Sequence, residues 1–173
     1  MKWITAALLC SMTSCSTAVV PTKTTATSIK SPHVSLASYQ TFSFGLPDQP
    51  KAGYDVTSRS LEVQRRLRPV VLEALQGRGY KEDETKSDLI VKLAAGTGAA
   101  PNPELERSRK TGLARGFIGI SVYEAATGTE VWQGSAFAEI DPEKIDDSLL
   151  KMGVSHMLAD FPSRDTTAQV AGQ

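Results

Sequence analysis

Apolar residues along the chain fall into two kinds of spacing, and these predict six elements. Tyr39-Gln40-Thr41-Phe42-Ser43-Phe44 alternates aromatic and polar residues and predicts a strand, which Gly45-Leu46-Pro47-Asp48-Gln49-Pro50 closes with turn formers. Val63, Leu67, Val70, Val71, Ala74 and Leu75 share one face of a helix. Ser58 or Ser60 is placed to cap its start, and Gly77 or Gly79 to end it in a left-handed conformation. Pro69 removes the hydrogen bond to residue 65, which predicts a kink or a helix whose regular part begins late. Ser87 to Ala94 is a second strand, with Leu89, Val91 and Leu93 on one face. Gly116 to Glu124 is a third, and the turn Ala126-Thr127-Gly128-Thr129 returns the chain as a fourth, Glu130 to Ile140. Asp141 with Pro142 behind it predicts the start of a last helix, and Pro162 its end. Ile145, Leu149, Met152, Met157, Leu158 and Phe161 form that helix's apolar side.

Two amphipathic helices suffice to cover one face of a small sheet. The expected fold is therefore α+β: a two-layer sandwich with about four mostly antiparallel strands, in the order strand-helix-strand-strand-strand-helix. The sheet face left open carries small and polar side chains, with Phe117 and Tyr123 among them.

The beginning of the chain follows a different pattern. Lys2 precedes a short apolar run, Trp3 to Met12, which is far below the roughly 20 residues that span a bilayer. Met12-Thr13-Ser14-Cys15 resembles the lipobox of bacterial lipoproteins, with Met where Leu is usual. The resemblance implies that residues 1–14 are a signal peptide and that Cys15 becomes the lipidated first residue, its thiolate accepting the lipid. Ser16-Thr17-Ala18 before Val19 also fits an ordinary secretory cleavage site, so both readings stand at this point. Ser16 behind the cysteine, rather than Asp, resembles an outer-membrane sorting signal. Residues 15–35 are rich in Ser and Thr and read as a tether, 36–164 as the domain, and 165–173 as a flexible tail.

Composition narrows the chemistry. Lys+Arg and Asp+Glu are 19 each in 173 residues, a balance that argues against nucleic acid as a partner. The 2 Cys both lie in the first fifteen residues, so the domain has no disulfide framework and no thiol nucleophile. Gly96-Thr97-Gly98 follows a strand as a dinucleotide loop does, yet Pro101 replaces the third glycine and no helix follows. His33 sits in the tether and His156 on the last helix, too few and too far apart for a metal site or a triad. Asp141, Glu143, Asp146 and Asp147 gather at the start of the last helix, where the helix dipole favours acids. Arg59, Arg65, Arg66 and Arg68 make a basic side on the first helix, most simply a solvated face. No cofactor and no metal are expected.

The candidate contacts are then Phe117 and Tyr123 on the open face, and Arg107 and Arg109 in a long loop from Ala99 to Arg115. Trp132 belongs either with these or, by the usual fate of a large aromatic, in the core.

The chain also resembles the bacterial lipoproteins grouped as domain of unknown function 4136. The resemblance is carried by Tyr39-Gln40-Thr41-Phe42, Leu75 to Tyr80, and Ser87-Asp88-Leu89-Ile90-Val91. It continues through Ile120-Ser121-Val122-Tyr123, Thr127-Gly128, Val131-Trp132-Gln133-Gly134 and Phe161-Pro162. It implies an envelope location and the fold, and no chemistry. The function expected is a lipid-anchored, non-catalytic module of the cell envelope, facing the periplasm from the outer membrane. Its partner would be an envelope protein or the cell wall. Two alternatives are a small periplasmic hydrolase using acids on the hairpin and last helix, Asp141, Asp146 or Asp147 among them, and a carrier of a small apolar ligand held between helices and sheet.

Overall fold

The computed structural model describes residues 24–31, 35–98, 114–141 and 145–164. Among these, six strands form one sheet: β1 (Thr24–Lys30), β2 (Thr41–Phe44), β3 (Lys81–Glu82), β4 (Leu89–Gly98), β5 (Ala114–Glu124) and β6 (Glu130–Ile140). Their order across the sheet is β1-β6-β5-β4-β2-β3. Two helices, α1 (Ser58–Gln76) and α2 (Asp147–Met157), pack on one face. The α+β class and the helix count match the sequence reading.

The sheet differs from the expectation in two ways. It has six strands rather than about four, and it is mixed rather than mostly antiparallel. β4, β5 and β6 pair antiparallel, as hairpin connections require, whereas β2 pairs in parallel with both β3 and β4. The cause is α1, which carries the chain back across the sheet before it re-enters as β3 and β4, the connection that parallel strands need. β3 is two residues long and leaves no alternation to read. β1 lies inside the stretch read as a tether. It runs antiparallel along β6 from Thr24↔Ala138 to Lys30↔Trp132. Threonine suits a half-buried pleated edge as well as it suits a linker, and Ala26 packs against the core.

The helix starts also carry corrections. α1 is capped by Thr57, one residue before Ser58. The Thr57 N–H donates to Ser60 Oγ at 2.6 Å, and the Ser60 N–H donates to Thr57 Oγ1 at 3.1 Å, a reciprocal capping box. The helix runs unbroken past Pro69 and does not begin late. Arg65, whose carbonyl loses its partner, and Pro69 both lie on the exposed side, where water is at hand. Gly79, with φ +86°, turns the chain out of the helix, and the Tyr80 N–H reaches back to the Leu75 carbonyl at 3.2 Å.

The cap of α2 is Asp146, not Asp141: its carboxylate accepts the Leu149 N–H at 2.8 Å. Pro142 and Glu143 lie outside the described residues. The buried stripe is Leu150, Gly153, Val154 and Met157, while Leu149 and Met152 are half-buried beside it.

The main core lies between the helices and the middle of the sheet. Phe42, Leu67, Val71, Leu89, Val91, Ile120 and Val122 meet there, joined by Trp132 and Phe161. A second, smaller cluster of Val63, Ala95 and Leu150 occupies the space near the helix starts.

Candidate functional site

Period-two alternation sends Ala94, Phe117, Gly119, Ser121, Tyr123, Gln133 and Ser135 to the face away from the helices. Residues 45–56 fold over one side of that face. The Asp48 N–H donates to the Leu93 carbonyl at 3.1 Å, and Asp55 bridges to Thr97. Tyr54 packs on Phe117 and Phe137, with ring centroids 5.2 and 5.8 Å away. This contact explains Gly98 in β4: a Cβ there would stand 2.6 Å from the Gly53 carbonyl oxygen and 2.9 Å from the Tyr54 ring. The Gly96-Thr97-Gly98 stretch is thus strand, with its glycines admitting the loop.

Beside the loop a groove of about 430 Å³ remains, bounded by Asp48, Gln49 and Lys51 on one side and by Thr27 and Ile29 of β1 on the other. Ile29 is 69% exposed at its rim. Within the groove Asp48 is already engaged. The Tyr123 hydroxyl donates to Asp48 at 3.0 Å, and Lys92 lies 3.6 Å from the same carboxylate and 4.4 Å from the Tyr123 ring centroid. Burial, followed by the hydrogen bond to Asp48, pushes the Tyr123 hydroxyl up to about 12, so it stays a neutral donor. Thr27 and Ser135 share a hydrogen bond of 3.0 Å across β1 and β6. The arrangement suits recognition by hydrogen bonding and contact.

Of the sequence-predicted contacts, Tyr123 and Phe117 both line this groove, although Phe117 is only 6% exposed beneath Tyr54. Trp132 does not belong to it. It is 1% exposed on the opposite face, perpendicular to Phe161 at 5.1 Å. A register shift between Val122 and Tyr123 sets Val122 opposite Trp132 and Tyr123 opposite Glu130, so Val131 and Trp132 are both buried. Gly134 gives the indole its space, since a Cβ there would collide with the ring. Arg107, Arg109, Cys15 and His33 lie outside the described residues.

The other candidate groups are tied up elsewhere. The Leu149 N–H, then the Ser148 hydroxyl, hold the Asp146 carboxyl below the usual carboxylate range. Asp147 accepts from Arg66 at 2.7 Å. Asp141 is half-buried at the end of β6, away from the cap. Arg59 pairs with Glu62 at 3.0 Å, and Arg68 with Glu82 and Glu84 at 3.1 Å each, which accounts for much of the basic helix side. His156 is exposed. Among the described residues no group of three or more His, Cys, Asp or Glu could hold a metal, and no helix is long and apolar enough to cross a membrane.

Asp48 and Gln49 belong to the stretch Gly45–Pro50 that the sequence presents as a turn ending the first strand, and Lys51 follows it. Their place over the sheet is set by contacts far along the chain. The signal that could have found them is the pair of glycines at 96 and 98, small residues in a strand that mark a close approach of backbone.

Several solved structures share this fold. The PelC dodecamer from Paraburkholderia phytofirmans has a TM-score of 0.53 at 8% identity, covering 82% of this chain and 99% of that one. A PelC variant from the same organism gives 0.54 at 10% identity over the same shares. A PDZ domain protein from Parabacteroides distasonis gives 0.55 at 13% identity, over 79% of this chain and 35% of that one. At these identities the likeness is one of fold. Comparison with the curated proteins finds no match. The sequence profile described as "Domain of unknown function (DUF4136)" matches residues 27–163, from the middle of β1 to the turn after α2, and the chain belongs to that family.

Proposed function

We propose that this protein is a lipid-anchored module of the bacterial cell envelope, held by Cys15, that binds an envelope partner without catalysing a reaction. The observation that carries this reading is the groove of about 430 Å³ on the sheet face opposite the helices. Its rim combines the exposed Ile29 with the amides of Gln49 and Gln133, both exposed. The non-catalytic part is supported by the use of Asp146 as a helix cap and of Asp147 as a partner of Arg66. Ser16 behind the cysteine, which resembles an outer-membrane sorting signal, supports an outer-membrane position facing the periplasm.

The test is a photo-crosslinking residue placed at Gln133 in the full chain in its own cell, with Glu84 on the helix side as control. One discrete adduct from position 133 and none from 84 is expected, and an adduct of twice the chain's mass would identify the partner as a second copy. Equal labelling from both positions would defeat the reading. Cys15→Ala should leave the membrane fraction while staying folded.

A second reading, carriage of a small apolar ligand, is favoured by one observation. A recess lies between α1, α2 and the sheet, lined by Val63, Ile118, Ile140, Ile145 and Leu150.

A further inference from the structure

The recess between helices and sheet has a definite cause. At its floor the sheet supplies the small side chains Ala95, Ala136 and Ala138 with Gly116 between, flanked by Ile118 and Ile140, and α2 supplies Gly153. The larger core residues lie toward the other end of the sheet, around Trp132 and Phe161. The space left over measures about 50 Å³ and opens to solvent at its mouth.

Its size selects the shape of an occupant. An enclosed apolar cavity of about 150 Å³ takes up benzene. An interior of about 50 Å³ excludes such a ring, yet admits the end of a linear hydrocarbon chain, with the rest following through the open mouth. The few polar groups on the lining fit the same chemistry. The Ser60 hydroxyl is used in the α1 cap, and Arg59 pairs with Glu62. Thr24 Oγ1 is buried and has no hydrogen-bond partner among the described residues.

Position selects the source. Thr24, the first residue of β1, lines the recess, and Cys15 stands nine residues upstream. Fully extended, nine residues reach about 30 Å. A group tethered at that range acts at an effective concentration of the order of millimolar. We propose that the recess receives the end of an acyl chain carried on Cys15 whenever the protein is away from a bilayer. This rests on the lipid-anchor reading. A bilayer accepts the whole chain and competes successfully with a shallow recess, so occupancy belongs to passage through water.

The test uses the full lipoprotein from cells fed a fatty acid bearing a photoreactive diazirine. The protein is taken off the membrane in a short-chain detergent, diluted below the micelle concentration, irradiated and mapped by peptide mass spectrometry. Expected are label on Cys15 and adducts on peptides containing Ile140, Ile145 or Leu149. Ala138→Leu, which fills the recess, should lose those adducts while keeping the label and the melting temperature. Should that variant fail to fold, Ile145→Phe at the rim replaces it. Label on Cys15 with adducts spread evenly over both sheet faces overturns the proposal and leaves the anchor intact. No label on Cys15 overturns the anchor reading, and this proposal with it. Recess adducts formed only when free fatty acid is added to a Cys15→Ser chain overturn the assignment to the protein's own lipid.

Discussion

Trp132→Ala tests the assignment of this residue to the core. The side chain is 1% exposed, and emptying a large aromatic site costs about 3–5 kcal/mol. Two local terms move the expectation within that range. The perpendicular contact with Phe161 at 5.1 Å is lost, about 0.5–1.5 kcal/mol beyond burial. In the other direction, the Trp132 Nε1–H is buried with no acceptor among the described residues, and deleting an unsatisfied donor relieves about 1–3 kcal/mol. The net loss should therefore fall near 3 kcal/mol. Trp132→Phe, which also removes the N–H but keeps a ring, should cost less than half as much. Both are read by urea denaturation of the mature chain, as shifts in midpoint at constant slope. A loss below about 1 kcal/mol for the alanine variant would refute the core assignment. Equal losses for the two variants would show that the indole N–H has a partner.

Asp88 accepts the backbone N–H groups of Gln40 and Thr41 at 2.7 and 3.0 Å, and the first of these bonds chiefly holds its carboxyl below the usual range. A depressed carboxyl stabilises the fold above its unfolded value of about 3.9, and that contribution is lost as pH falls through the folded value. Asp88→Asn should cost about 1 kcal/mol at pH 7 and nothing in strong acid, so identical pH profiles of stability would sink this account. Asp146→Ala, removing the α2 cap, should cost about 1 kcal/mol by the same denaturation measurement; no change would return the cap to another residue. Gly98→Leu should cost about 1–3 kcal/mol and displace Tyr54, visible as altered ring-current shifts of Phe117 and Phe137; unchanged shifts would mean residues 45–56 do not rest on β4.

The elements that were legible in the sequence are those whose own residues decide them. β5 and α1 carry long runs of one period, and their apolar faces lie where the periodicity puts them. β1 was not legible, because Thr-Thr-Ala-Thr-Ser describes a solvated linker and an edge strand equally well; only the neighbouring strand β6 distinguishes them. The cap at Asp146 was hidden by Asp141, an equally good capping residue five positions earlier. Trp132 could not be placed by parity, since the register shift at Val122 changes which residues share a face. Half of the candidate site was visible as Phe117 and Tyr123. The other half, Asp48 to Lys51, reaches them through contacts between residues roughly 70 apart in the chain, which no local pattern records.

The pairing of β1 with β6 also bears on mechanics. The chain enters the described fold at Thr24 and runs along β6 from Ala138 to Trp132. In an antiparallel pair the hydrogen bonds lie across the strands. A pull on the N-terminal segment along the strand axis therefore acts in shear on all seven residue pairs together, whereas a pull across it peels them apart one after another. The seam's resistance to force is thus set by the direction of the load.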